Sequence, residues 1–269
     1  MVEVRSGDAL VERLVRQDRV IVLLAISSLV AISIAYLVAG PSMPTMPNME
    51  GMADMPDMAM PDMAMPMAMN WESFSWLAPM WIAMMIGMML PSAAPMLLLF
   101  ARHRRFSDPA KSPAAATLGF AGGYLAVWIA FSLLAALLQA YLFGQSWLTD
   151  EMQLGSPLAR AALLAAAGIF ELTPLKSVCL ESCRSPAQFL AAHARSGNLA
   201  KGLRHGLFCL GCCAALMGLL FVAGVMNPVA IGALAAIVLA QKLAPPRWRL
   251  DMVAGIALMA AAVFVLARG

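Results

Sequence analysis

Sulfur dominates the chemistry available to this chain. Its 269 residues include 23 methionines and five cysteines, against three histidines. Eleven of the methionines lie between Met43 and Met69, and the first six recur every third residue, at Met43, Met46, Met49, Met52, Met55 and Met58. Prolines at positions 44, 47, 56, 61 and 66 exclude a continuous helix there, because each lacks an amide donor and clashes with the preceding turn. Thioethers displayed at that density form a soft, uncharged ligand set, which selects Cu(I) over harder ions. The cysteines form a second set. Cys179 and Cys183 are four apart, and Cys212 and Cys213 follow Cys209 by three and four, so on helices each group shares one face. That spacing suits a site of two to four thiolates, with a structural zinc as the alternative occupant. Packing is the competing reading, since a free cysteine is also a small buried hydrophobe.

Other residues lie between the two sulfur sets. Met80, Met84 and Met88 recur four apart in an apolar run, and Met217 and Met226 follow the second cysteine group. They read either as ligands on a path for a soft metal or as flexible filler between packed helices. Glu171 is the one carboxylate inside an apolar segment, where burying a charge is costly and a functional role or a partner such as Lys176 is expected. Of the histidines, His205 stands four residues before Cys209 and is the one that could join the thiols. No phosphate-binding loop and no phosphorylatable aspartate motif occurs, which excludes a metal-pumping ATPase.

The elements that position these residues are membrane helices. The chain is 62% hydrophobic and 12% charged, with a mean hydropathy of +0.79. Such a composition predicts an all-α, polytopic membrane protein, each span needing roughly 20 apolar residues. Seven segments qualify: 20–39, 76–100, 115–143, 158–173, 206–223, 228–241 and 251–267, the fourth and sixth being short. Pro91 and Pro95 should kink the second. Lys and Arg crowd residues 1–19, 101–114, 174–205 and 242–250, whereas 40–75, 144–157 and 224–227 have none. The positive-inside rule then places the N-terminus in the cytoplasm, the methionine segment outside and all five cysteines at the cytoplasmic side. A cytoplasmic position argues for thiols or metal thiolates rather than a disulfide. The organisation is an N-terminal segment with its first helix (1–39), an external Met/Pro-rich tether (40–75) and a six-helix domain carrying the cysteines (76–269). The first helix reads as an uncleaved anchor, since its leader mixes Glu3, Asp8, Glu12 and Asp18 with arginines.

The stretches MMLPSAAPM (88–96), ELTPLKSVCLESCRSP (171–186), HGLFCLGCCAALM (205–217) and GVMN (224–227) resemble a bacterial family of predicted metal-binding integral membrane proteins, a domain family of unknown function. The resemblance covers roughly 70–269 and leaves the tether outside it. It implies metal binding at Cys179, Cys183, Cys209, Cys212 and Cys213. Ala214, where the pattern would have an aromatic, and Gln241-Lys242, where it would have Glu-Lys, depart from it. The expected function is Cu(I) capture, transfer or delivery in the bacterial inner membrane, without enzymatic turnover. The expected partners are the lipid bilayer, the metal ion and a copper-dependent membrane enzyme or copper chaperone, with no nucleic acid. The alternatives are a membrane thiol-redox enzyme, or a subunit whose thiols hold structural zinc.

Overall fold

The computed structural model describes residues 3–39, 71–108, 112–149 and 152–268. The tether methionines Met43, Met46, Met49, Met52, Met55 and Met58 lie outside the described residues. Everything regular within them is helical, apart from one isolated antiparallel bridge between Leu148 and Leu154. The order is α1 (Glu3–Ala39), α2 (Trp71–Ser107), α3 (Ala114–Gly144), α4 (Pro157–Glu171), α5 (Pro174–Arg184), α6 (Pro186–Ala192), α7 (Asn198–Gly218), α8 (Leu220–Ala223), α9 (Pro228–Leu243) and α10 (Leu250–Arg268). A 3-10 turn at Pro246–Trp248 joins the last two.

Every apolar segment singled out in the sequence is helical. Among the described residues, five stretches are long and apolar enough to cross a membrane: Leu14–Ala39, Phe74–Ser107, Ala114–Gly144, Asn198–Ala223 and Pro246–Arg268. A sixth arises only if α4 and α5 count as one, and these are bent by 64°. The bend has a local cause. Thr173 caps a new helix, its hydroxyl accepting from the Lys176 amide at 3.4 Å, with Pro174 in the first turn, where its missing N–H is not needed. Helix α9 has 16 residues, about 24 Å at 1.5 Å per residue, short of a hydrocarbon core about 30 Å thick. Helix α2 is one continuous helix with Pro79, Pro91 and Pro95 inside it. It also begins at Trp71, so the last residues assigned to the tether are helical. Outward faces carry Leu118, Leu134, Val229 and Val263, all exposed, as in a multi-pass membrane protein whose solvent on those faces is lipid.

The centre is a bundle of α2, α3 and α7, with α1 along α2, α4 against α10, and α5 and α9 closing one end. Helices α3 and α7 meet backbone to backbone. A Cβ on Gly202 would collide with the Phe120 carbonyl oxygen, and one on Gly123 with that of Leu199. Small residues at such crossings let membrane helices approach until their backbones touch. Polar side chains tie the bundle internally: Trp81 Nε1 donates to Gln139 Oε1 at 2.6 Å, joining α2 to α3. At the end away from this contact, Arg105 on α2 grips both carboxylate oxygens of Asp18 on α1, at 2.7 and 2.9 Å.

Candidate functional site

The two cysteine groups converge because α5 packs on α7. The α7 helix turns Cys209, Cys212 and Cys213 to one buried face, as their spacing requires, and α5 lays Cys183 against them. Cys183 Sγ is 3.9 Å from Cys212 Sγ, and Cys212 Sγ is 3.2 Å from Cys213 Sγ. Cys209 packs in the same buried cluster, its carbonyl accepting from the Cys212 thiol. Four of the five cysteines therefore share one cluster. Cys179 remains at its edge, half-buried, with its sulfur seated over Gly211, where a Cβ would come within 2.8 Å of it. All five are free thiols.

The cluster is hydrogen-bonded rather than preset for a metal. Among the described residues, no group of three or more His, Cys, Asp or Glu side chains is arranged to hold an ion. Sulfurs sharing a metal at about 2.3 Å stand about 3.8 Å apart on a tetrahedral edge. The Cys183–Cys212 separation meets that distance, and the Cys212–Cys213 contact is too short for it. The Cys212 thiol also donates to the Cys209 carbonyl at 3.1 Å. Side-chain rotation must break these contacts before three or four thiolates can share an ion.

Residues that sequence reasoning did not single out complete the surroundings. Lys242, from the end of α9, brings Nζ to 3.0 Å from Cys209 Sγ and donates to Ser92 Oγ at 2.8 Å. The Tyr124 hydroxyl stands 3.2 Å from Cys209 Sγ and donates to the Met89 carbonyl at 3.1 Å. A buried cation, a hydroxyl and four thiols thus meet where α2, α3, α5, α7 and α9 come together. Lys242 had one sequence signal, its place in a Gln241-Lys242 pair at the end of an apolar helix, and charge counting absorbed it as topogenic. Tyr124 had none.

Glu171 lies beside the cluster and pairs with Lys176 as its position suggested. Lys176 Nζ, fully buried, donates to Glu171 Oε1 at 2.5 Å, to the Cys212 carbonyl at 2.5 Å and to Gln241 Oε1 at 2.9 Å. Gln241 Nε2 donates to the other carboxylate oxygen at 2.7 Å. Both oxygens of Glu171 are thereby engaged, and the network pins the α4–α5 bend to the backbone of Cys212. Met80, Met84, Met88 and Met217 are buried in the core that also contains Cys209, Cys212 and Cys213, whereas Met226 is exposed at the loop before α9. His205 is buried among the rings of Phe120, Tyr124 and Phe189.

No curated protein and no solved structure gives a match to this chain. A family model does, over residues 78–265, and its description is PpoB2, copper chaperone. That span takes in α2 almost entirely and every helix contributing to the thiol cluster, and it omits the methionine segment. The description is metal-related, as the resemblance implied, and it names copper. The chain belongs to the PpoB2 copper-chaperone family.

Proposed function

We propose that this chain is a membrane copper chaperone that captures Cu(I) on an external methionine segment and passes it inward to the thiol cluster. It crosses a bacterial cell membrane seven times, with a cytoplasmic N-terminus, α9 crossing as a short helix and the bent α4–α5 pair as one span. Met43, Met46, Met49, Met52, Met55 and Met58 offer weak thioether ligands. Met80, Met84, Met88, Met217 and Met226 continue them, and Cys183, Cys209, Cys212 and Cys213 receive the ion, with Cys179 at the rim. Thioethers outside and thiolates inside make transfer run downhill in free energy.

The observation that carries this reading is the convergence of four thiols beside the buried ammonium of Lys242. Charge favours a monovalent guest. Two thiolates around Cu(I) carry one negative charge, which Lys242 balances, whereas zinc in four thiolates carries two and would leave one uncompensated in an apolar interior. Cu(I) titration of the purified full-length protein tests this, alongside a variant lacking 43–69 and a Cys209→Ser/Cys212→Ser variant. The deletion lowers stoichiometry and the double substitution removes the tightest site. Unchanged stoichiometry in both variants refutes the reading.

A further inference from the structure

A cavity of about 150 Å³ lies against the thiol cluster, between α2, the α5–α6 junction, α7 and α9. Its wall includes Ser92, Met96, Cys183, Arg184, His205 and Lys242, and no Asp or Glu among the described residues lines it. Two of these residues carry unmet hydrogen-bonding capacity. Arg184 uses Nε to donate to the Gln241 carbonyl at 2.7 Å, while its Nη2 is buried with no hydrogen-bond partner among the described residues. Nδ1 of His205, a residue 3% exposed, is likewise buried without a partner. Orphaned buried polar atoms are costly, at roughly 1–3 kcal/mol each, and they indicate a missing polar occupant. Two cations, unmet polar atoms and no carboxylate describe a receptor for an anion. The anion must tolerate a soft environment too, because Cys183 and Met96 share the wall.

We propose that this cavity is the port through which Cu(I) changes hands, entering or leaving as a complex with a small anionic thiolate, with Cys183 as the first protein ligand. The proposal rests on the copper reading above and adds the chemical form of the cargo. In the loading direction, the bis-thiolate complex docks with its negative charge toward Arg184 and Lys242. A copper–sulfur bond to one small thiolate breaks as a bond to Cys183 Sγ forms, and the Cys183 proton leaves on the departing thiol. A second exchange at Cys212, 3.9 Å from Cys183, releases the second thiol with the Cys212 proton. Copper stays in the +1 state throughout, and the copper–dithiolate core keeps its single negative charge while each departing thiol carries away its own carboxylate. Unloading is the same sequence reversed.

Oxygen-free loading of the full-length detergent-solubilised protein tests the port, reading copper retained after rapid desalting at successive times. Cu(I) is offered as its complex with 3-mercaptopropionate, which is anionic, or with cysteamine, which is similar in size and cationic. The wild-type protein loads about tenfold faster from the anionic donor, in the range expected of local electrostatic steering. Arg184→Gln reduces that ratio to about threefold or less, Arg184→Lys largely keeps it, and Cys183→Ser slows loading from both donors. Equal rates from the two donors in wild type overturn the proposal, as does a ratio unchanged in Arg184→Gln. The wild-type comparison decides even if a variant fails to fold. Cu(I) supplied as its acetonitrile complex separates the two levels: loading from it while the two thiolate donors load at equal rates refutes the port alone, and no loading from any donor refutes the copper reading.

Discussion

Lys176→Met exposes how the site is held together. The substitution keeps an unbranched side chain of similar length while deleting an ammonium that has three acceptors and no exposure to solvent. At 2.5 Å and an effective dielectric of about 20, the gross attraction to Glu171 is about 7 kcal/mol, most of which offsets the cost of removing two charges from water. What the single variant loses is set by what it leaves behind: an unpaired buried carboxylate, costing about 3–5 kcal/mol. The double variant Lys176→Met/Glu171→Leu removes that stranded charge and should recover at least half of the loss, though the Cys212 carbonyl still lacks its donor. Denaturant unfolding of the solubilised protein, for wild type, both singles and the double, gives the coupling directly. A Lys176→Met cost below about 1 kcal/mol, or a double variant no more stable than Lys176→Met, would refute the argument that this pair is a buried, mutually dependent lock.

Gly202→Ala drives a methyl group into the Phe120 carbonyl, and backbone on both sides cannot yield as a side chain would; the expected loss is about 3 kcal/mol or more, read as a lowered unfolding midpoint or failed expression. Tyr124→Phe removes the hydroxyl between Met89 and Cys209 at a cost of about 1–2 kcal/mol, and it should speed alkylation of Cys209 in the folded protein, measured by mass spectrometry. Asn227→Ala deprives the first turn of α9 of its cap, where the side-chain oxygen now accepts from Val229 and Ala230 amides at 3.0 and 3.3 Å. A loss of about 1 kcal/mol in the same unfolding assay is expected.

Much of this architecture was legible in the residues. Apolar runs located the long helices but not α5, which carries Cys183, and the i, i+3 and i, i+4 spacing of Cys209, Cys212 and Cys213 put three thiols on one face. Cap–proline pairs at Ser156-Pro157, Thr173-Pro174 and Asn227-Pro228 mark three helix starts. The 64° bend after Glu171 was not legible, because a hydropathy run counts residues and not the direction in which the next helix leaves. Nor was the role of Lys242. A lysine at the end of an apolar helix satisfies the positive-inside pattern whether it faces water or folds inward, and only the partners supplied by α2 and α7 decide between them. Methionine periodicity was ambiguous for a similar reason. Met80, Met84 and Met88 occupy core positions that any large apolar side chain could fill, so burial alone does not separate ligand from filler.

The late position of Lys242 in the chain has a consequence for biosynthesis. Its acceptors come from Ser92 on α2 and Cys209 on α7, both made before α9. An emerging chain orders its earlier helices first, so the ammonium is drawn inward only after a polar berth exists to receive it. Until then Lys242 can rest at the membrane surface on the last turn of α9, where its charge costs little. The thiol cluster thus acquires its counter-charge late in assembly, and a chain halted before residue 242 would carry all five cysteines without the cation that stands beside them.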